Sequence, residues 1–152
     1  MKRTIVYLPF ILSLLGSSFS CKEEIRSSIP DCKVYIETLP HEYNKLKNPN
    51  SAVLYVHAPG APVNFRYGYG GVLIYRDLES KIRSCDLACP VEASYAIRVD
   101  VNMPFAVCPK CNSKFDLSYG FAAPVSGPAK ESLRIYHNVF ERSSPPSIVV
   151  TN

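Results

Sequence analysis

The stretch from Cys89 to Ala129 reads CPVEASYAIRVDVNMPFAVCPKCNSKFDLSYGFAAPVSGPA. Its first half alternates from Ala96 to Val101, with Ile97, Val99 and Val101 on one side and Arg98 and Asp100 on the other, the period-two pattern of a half-buried strand. Its second half carries CPKCNSKFD, residues 108–116, between an apolar run and a glycine turn. Cys108 and Cys111 have the spacing of a metal knuckle. Taken alone, the nonapeptide suits a metal-binding turn, a redox dithiol or the remnant of either.

Outward from this stretch the chain continues to read as β structure. Val34–Leu39, Ala52–His57 and Gly71–Tyr75 are short runs of β-branched and aromatic residues bounded by Pro, Gly or Asn. Leu133–Phe140 and Ser147–Thr151 complete the strand candidates. The one helical candidate is Pro40–Lys47, which the NPNS exit at 48–51 limits to a turn or two. These segments predict an all-β sandwich or small barrel with cysteines on its loops. No internal repeat or low-complexity segment interrupts it.

Several motifs carry no chemistry. GYGGV, residues 68–72, leads into a strand and so offers no helix N-terminus to a phosphate; it reads as a turn. HEYNK, residues 41–45, lacks the second histidine of a zinc protease. His41, His57 and His137 are far apart, with no serine or cysteine on a nucleophile turn, and read as surface or hydrogen-bonded strand residues.

The N-terminus reads as an export signal. Met1-Lys2-Arg3 precedes a short, mostly apolar stretch from Thr4 to Gly16, then Ser17-Ser18-Phe19-Ser20-Cys21. The apolar part is short for a bilayer span, and a small residue before a cysteine resembles a bacterial lipoprotein signal, with Ser18 where leucine is usual. Residues 1–20 would be removed and Cys21 lipidated, giving a partner in the lipid bilayer. Lys22-Glu23-Glu24 resembles the signal that sends some lipoproteins to the outer face of the outer membrane, which favours the cell surface over the periplasmic face. Residues 21–31 then form a flexible tether and residues 32–152 the domain. Taking 20 residues from 152 leaves 132, enough for one core. Loss of Lys2 and Arg3 lowers the net charge from +4 to +2, and no basic run remains, so nucleic acid is not an expected partner.

With the second loop read beside the first, the stretch resembles the Rieske iron–sulfur domain, a multi-sheet β-sandwich in which two hairpin loops clamp a 2Fe–2S cluster. The family pattern is Cys-x-His in one loop and Cys-Pro-x-His-Gly-Ser-x-Phe-Asp in the other, then a glycine turn and Gly-Pro-Ala. Cys89-Pro90 matches the first; Cys108, Pro109, Ser113, Phe115 and Asp116 match the second; Gly120 and Gly127-Pro128-Ala129 match the sequel. More narrowly, SSIP, GGVLI, DLACP and CPKC look like a group of Rieske-like lipoproteins of gut-type Gram-negative bacteria. The resemblance implies loop-supporting roles for Pro109, Asn112, Ser113, Gly127 and Pro128. It also locates the departures. Val91 stands at the first histidine position and has no donor atom, while Cys111 stands at the second. Two histidine ligands are therefore absent. Asn112 replaces the following glycine, and asparagine adopts positive φ more readily than most residues.

The remaining thiols leave alternatives open. A zinc or iron–sulfur site built on Cys89, Cys108, Cys111 and Cys85 is one. If Ile82–Ala88 is a strand, Cys85 lies roughly 13 Å from Cys89, outside a metal shell unless the chain curls. The export signal argues against a cluster loaded in the cytoplasm, since Lys2-Arg3 is not a twin arginine. An oxidising compartment favours disulfides. Cys32 and Cys85 stand where the resembled lipoproteins carry no cysteine, and a bridge between them would close a loop of about 50 residues, worth roughly 4 kcal/mol on the chain-entropy model. Cys89 would then meet Cys108 and Cys111 through one disulfide or a three-thiolate metal site. The leading expectation is a binding or structural module with a degenerate cluster site; the alternative is an electron-transfer or thiol-redox protein. No acid–base set points to an enzyme, and an oxidoreductase component is the enzymatic alternative.

Overall fold

The computed structural model describes residues 27–56 and 66–152. The signal at 1–20, the lipidation candidate Cys21 and His57 lie outside the described residues. Along the chain run β1 (Tyr35–Glu37), α1 (Pro40–Lys45), β2 (Ser51–Tyr55), β3 (Val72–Arg76), β4 (Ile82–Asp86), β5 (Asp100–Asn102), β6 (Phe105–Val107), β7 (Lys114–Asp116), β8 (Ala123–Ser126), β9 (Asn138–Ser143) and β10 (Pro146–Thr151). They form three antiparallel sheets, ordered β1-β10-β9, β2-β3-β4 and β5-β6-β7-β8. The all-β, multi-sheet class expected from the strand pattern is what the structure holds. Among the described residues no helix is long and apolar enough to cross a membrane.

β3 explains why the sheets stack in this order. Its run Val72-Leu73-Ile74-Tyr75 is buried at every position, which requires cover on both faces. Leu73 and Tyr75 enter one apolar cluster with Cys85, Leu87, Phe115 and Leu117. Val72 and Ile74 enter a second with Ile36, Val53, Ile148 and Val150. Alternation along one strand therefore divides the interior into two cores, one toward the cysteine loops and one toward β1 and β10.

The N-terminal segment read as the end of a flexible leash is packed instead. Ile29 is fully buried. Ser28 bonds the Glu131 carboxylate through both its N–H and its hydroxyl. Arg134 donates to the Ile29 carbonyl at 2.9 Å and pairs with Asp31 at 2.9 Å. One apolar side chain in an otherwise polar segment is enough to lay it on the domain, because that side chain finds a buried seat.

Two strand expectations are narrowed. In residues 96–101 only the end pairs as β5, since residues 94–97 form a turn, with Ile97 N–H donating to Ser94 O at 3.2 Å. The alternation still marks the right face: Val99 is buried in the first core, and Ile97 and Val101 pack against it. Residues 133–140 are not one strand either. Ile135 bridges Cys85, and Tyr136 N–H donates to Ser84 O at 2.9 Å, so this segment lies along β4 before β9 begins at Asn138.

Where the 66–71 turn meets the end of β4, the buried Asp86 carboxylate collects four donors. Its oxygens accept from the N–H groups of Tyr69 (2.8 Å), Gly70 (2.9 Å) and Ala88 (2.7 Å) and from the Tyr136 hydroxyl (2.6 Å). Gly70 must be glycine here, because a Cβ would lie 2.7 Å from the backbone nitrogen of Ala88. Asp86→Ala leaves these donors buried without an acceptor and is expected to cost about 3 kcal/mol or more in denaturant unfolding. Breaking the exposed Arg142–Glu37 pair by Arg142→Ala is expected to cost less than about 1 kcal/mol in the same measurement.

Candidate metal centre

Two loops bring the cysteines together. Residues 108–112 join β6 to β7 as the tip of a hairpin. Residues 89–93 follow β4, and the base of their loop is closed by the Ala88–Arg98 bridge and by Cys89 N–H donating to Ile97 O at 3.2 Å. The loops share one backbone device. Ala93 N–H donates to Cys89 O at 2.9 Å, and Asn112 N–H donates to Cys108 O at 3.0 Å. Both residues that donate these bonds have positive φ, 45° at Ala93 and 58° at Asn112. The sequences align accordingly: Cys89-Pro90-Val91-Glu92-Ala93-Ser94 against Cys108-Pro109-Lys110-Cys111-Asn112-Ser113. Asn112 thus adopts the conformation inferred for it from sequence, and the proline after each cysteine holds φ near the value the turn begins with.

The sulfurs of Cys89, Cys108 and Cys111 all lie within 4.8 Å of one another. Cys89 and Cys111 sulfurs are 3.6 Å apart. Cys89 and Cys108 are fully buried and belong to the first core, against which the partly exposed Cys111 packs. Burial pushes the Cys89 thiol up to about 12, against the lowering effect of the Glu92 and Val91 backbone groups hydrogen-bonded to its sulfur. At Cys111 burial also opposes ionisation, but hydrogen bonds from Ser113, Cys108 and Cys89 outweigh it and hold the thiol below the ordinary range. Ser113 is placed for this. Its oxygen accepts the Ala129 N–H at 3.0 Å and stands 3.1 Å from the Cys111 sulfur, so its own hydrogen is available to that sulfur.

Gly127 lets the 127–129 segment approach Ser113 so closely. It sits at φ 89°, and a Cβ there would lie 2.5 Å from Ser113 Cα. Pro128 and Pro109 are exposed. A cross-loop ion pair completes the site: Lys110 Nζ lies 2.5 Å from Glu92 Oε2, and the Glu92 side chain is only 12% exposed. Sequence reasoning compared loop one with a Cys-x-His pattern and so stopped at Val91, which is exposed. Aligning the two Cys-Pro loops with each other is the signal that finds Glu92.

Cys85 does not join the centre. It lies in β4, as the 82–88 strand expectation required, with its side chain in the first core beside Leu73 and Leu87. Cys32 and Cys85 are unbonded thiols in the structure. Adjacent strand residues face opposite ways. Asp86 reaches Tyr136 on the second-core side, while the Cys85 side chain belongs to the first core. His41 and His137 are exposed and stand outside the thiol group.

The two-iron cluster that the family resemblance implies does not fit. It needs its ligands divided between two irons, whereas among the described residues three sulfurs lie within 4.8 Å of one another, close enough to share one ion, and Val91 adds no donor at the histidine position. A single ion fits better. Two sulfurs each about 2.3 Å from one tetrahedral ion stand about 3.8 Å apart, close to the Cys89–Cys111 spacing.

No protein-family model matches the chain, and no curated protein matches it significantly. Among solved structures, one assigned as the small subunit of an NADH-dependent nitrite reductase from Mycobacterium tuberculosis is similar at a TM-score of 0.43 and 15% identity, over 80% of this chain and 97% of that one.

Iodoacetamide is expected to modify Cys111 before Cys89 and Cys108, and at a pH below that of an ordinary exposed thiol; Ser113→Ala moves that onset upward, as mass spectrometry of pH-pulsed samples would read. Gly127→Ala forces Ser113 to shift and is expected to destabilise the domain by about 1–3 kcal/mol by denaturant unfolding.

Proposed function

We propose that the protein is an exported, membrane-anchored lipoprotein whose Rieske-like domain is a binding or structural module, and that its degenerate cluster site holds one thiophilic divalent ion, zinc by donor chemistry. The convergence of three sulfurs from two separate loops within 4.8 Å carries the metal reading. Thiolates select zinc and other soft ions over magnesium or calcium. Cys89, Cys108 and Cys111 would hold the ion; when bound it would supply neutralising charge and a cross-link between the loops. The chain's own residues prepare the site: Ser113 and the loop N–H groups stabilise thiolates, and the surrounding core excludes water.

The lipid anchor rests on the Cys21 signal, and an outer-membrane, surface-facing location on Lys22-Glu23-Glu24. A thiol-redox role is the second reading, favoured by the 3.6 Å Cys89–Cys111 spacing and the lowered Cys111 thiol. In it the two thiols give up two protons and two electrons to an acceptor and form one disulfide.

Full-length chain purified in detergent under reducing conditions is expected to carry one zinc per chain by elemental analysis. Serine at position 89, 108 or 111 removes it, whereas Cys85→Ser and Cys32→Ser retain it. A metal-free chain with a mapped Cys89–Cys111 disulfide supports the redox reading instead, and two irons per chain overturn both. Palmitate labelling that survives Cys21→Ser would sink the anchor assignment.

A further inference from the structure

We infer that Glu92 is the fourth metal ligand, so that two like loops, one offering Cys89 and Glu92 and the other Cys108 and Cys111, enclose a zinc site of three thiolates and one carboxylate. The inference rests on the metal reading above and adds the ligand that closes the shell.

The backbone equivalence of the loops carries it. Each has Cys-Pro at its start, an N–H returning to the cysteine carbonyl from the residue four positions on, positive φ at that residue and serine after it. Such a turn presents the cysteine and the residue three positions after it on one side, which is why Cys108 and Cys111 converge. The residue three after Cys89 occupies the same place in loop one, and it is Glu92. In the structure the Glu92 carboxylate is paired with Lys110 and lies outside the group of three sulfurs, so ligation at about 2.0–2.2 Å requires its side chain to turn from Lys110 toward them.

Burial and charge point the same way. The Glu92 side chain is 12% exposed, although its loop is at the surface, because it leans across to loop two. Its partner there is Lys110, the residue immediately before Cys111. The Glu92 carboxylate thus already stands over loop two, against the residue that precedes Cys111. On metal binding it exchanges Lys110 for the ion, and Lys110 stays close enough to offset the negative charge of three thiolates and a carboxylate around a divalent ion. Four protein ligands leave no open position, which makes the site structural, binding the two loops together, with no place for a reacting water.

The test titrates Zn2+ and Co2+ into full-length chain in detergent. Glu92→Gln is expected to weaken Zn2+ binding by at least about tenfold and to change the ligand-field bands of bound Co2+. Glu92→Cys is expected to restore tight binding and to strengthen the sulfur-to-cobalt charge-transfer band, reporting a fourth thiolate in the shell. A merely structural role for Glu92 would not create that band. Wild-type affinity in Glu92→Gln together with an unchanged charge-transfer band in Glu92→Cys overturns the inference while leaving the three-thiolate reading intact. Failure of the wild-type chain to bind either ion overturns both. Glu92→Cys also guards against misfolding of the glutamine variant, since it keeps a donor at the position.

Discussion

The Asp86 carboxylate joins three parts of the chain that are distant in sequence. It is fully buried and is satisfied by Tyr69, Gly70, Ala88 and Tyr136, so the 66–71 turn, the exit of β4 and the segment before β9 are held at one point. A carboxylate buried without such donors would cost several kcal/mol, so each donor is constrained as firmly as the acid itself. The functional consequence is directional. Cys89 lies three residues beyond Asp86, and Leu87 N–H and Ala88 N–H are both spoken for, by Gly71 O and by Asp86, so loop one leaves the sheet at a fixed angle.

Loop two is aimed by different means. There the constraint is the contact between Gly127 and Ser113, with the Ala129 N–H bonded to the Ser113 hydroxyl. The two devices lie within or beside the core, and they bring the sulfurs of two independently positioned turns within 4.8 Å of one another. Since two of the three thiols are themselves core residues, an ion held there would be linked to folding: it would stabilise the domain and be lost as the domain opens.

The comparison with the Rieske pattern is informative chiefly where it fails. The scaffold features of that pattern recur here with structural duties: Ser113 serves the Cys111 sulfur, Asn112 takes the positive φ, and Gly127 allows close approach. Of the ligand features the two cysteines recur as Cys89 and Cys108 and the two histidines do not, and the two loops resemble each other, each running Cys-Pro-x-x-x-Ser. The two loops share a backbone geometry although their side chains differ, because that geometry depends on φ and hydrogen bonds, whereas a ligand set depends on single side chains.

The sequence by itself determined the all-β class, the short helix at 40–45, the buried side of Ile97, Val99 and Val101, and the conformation of Asn112, because these depend on local periodicity and on the backbone preferences of single residues. It also isolated Cys108 and Cys111 by their spacing. What it did not show is set by contacts across long separations. The seat of Ile29 against the domain and the break of 133–140 into a segment along β4 and then β9 both depend on partners far away in the chain. Only the tertiary structure decided that Cys89 joins Cys108 and Cys111 while Cys85 does not, and that Glu92 leans onto loop two. The physical reason is that Cys85 is paired within β4 and enclosed by the first core, whereas Cys89 stands past the strand's end, where the chain is free to turn toward loop two.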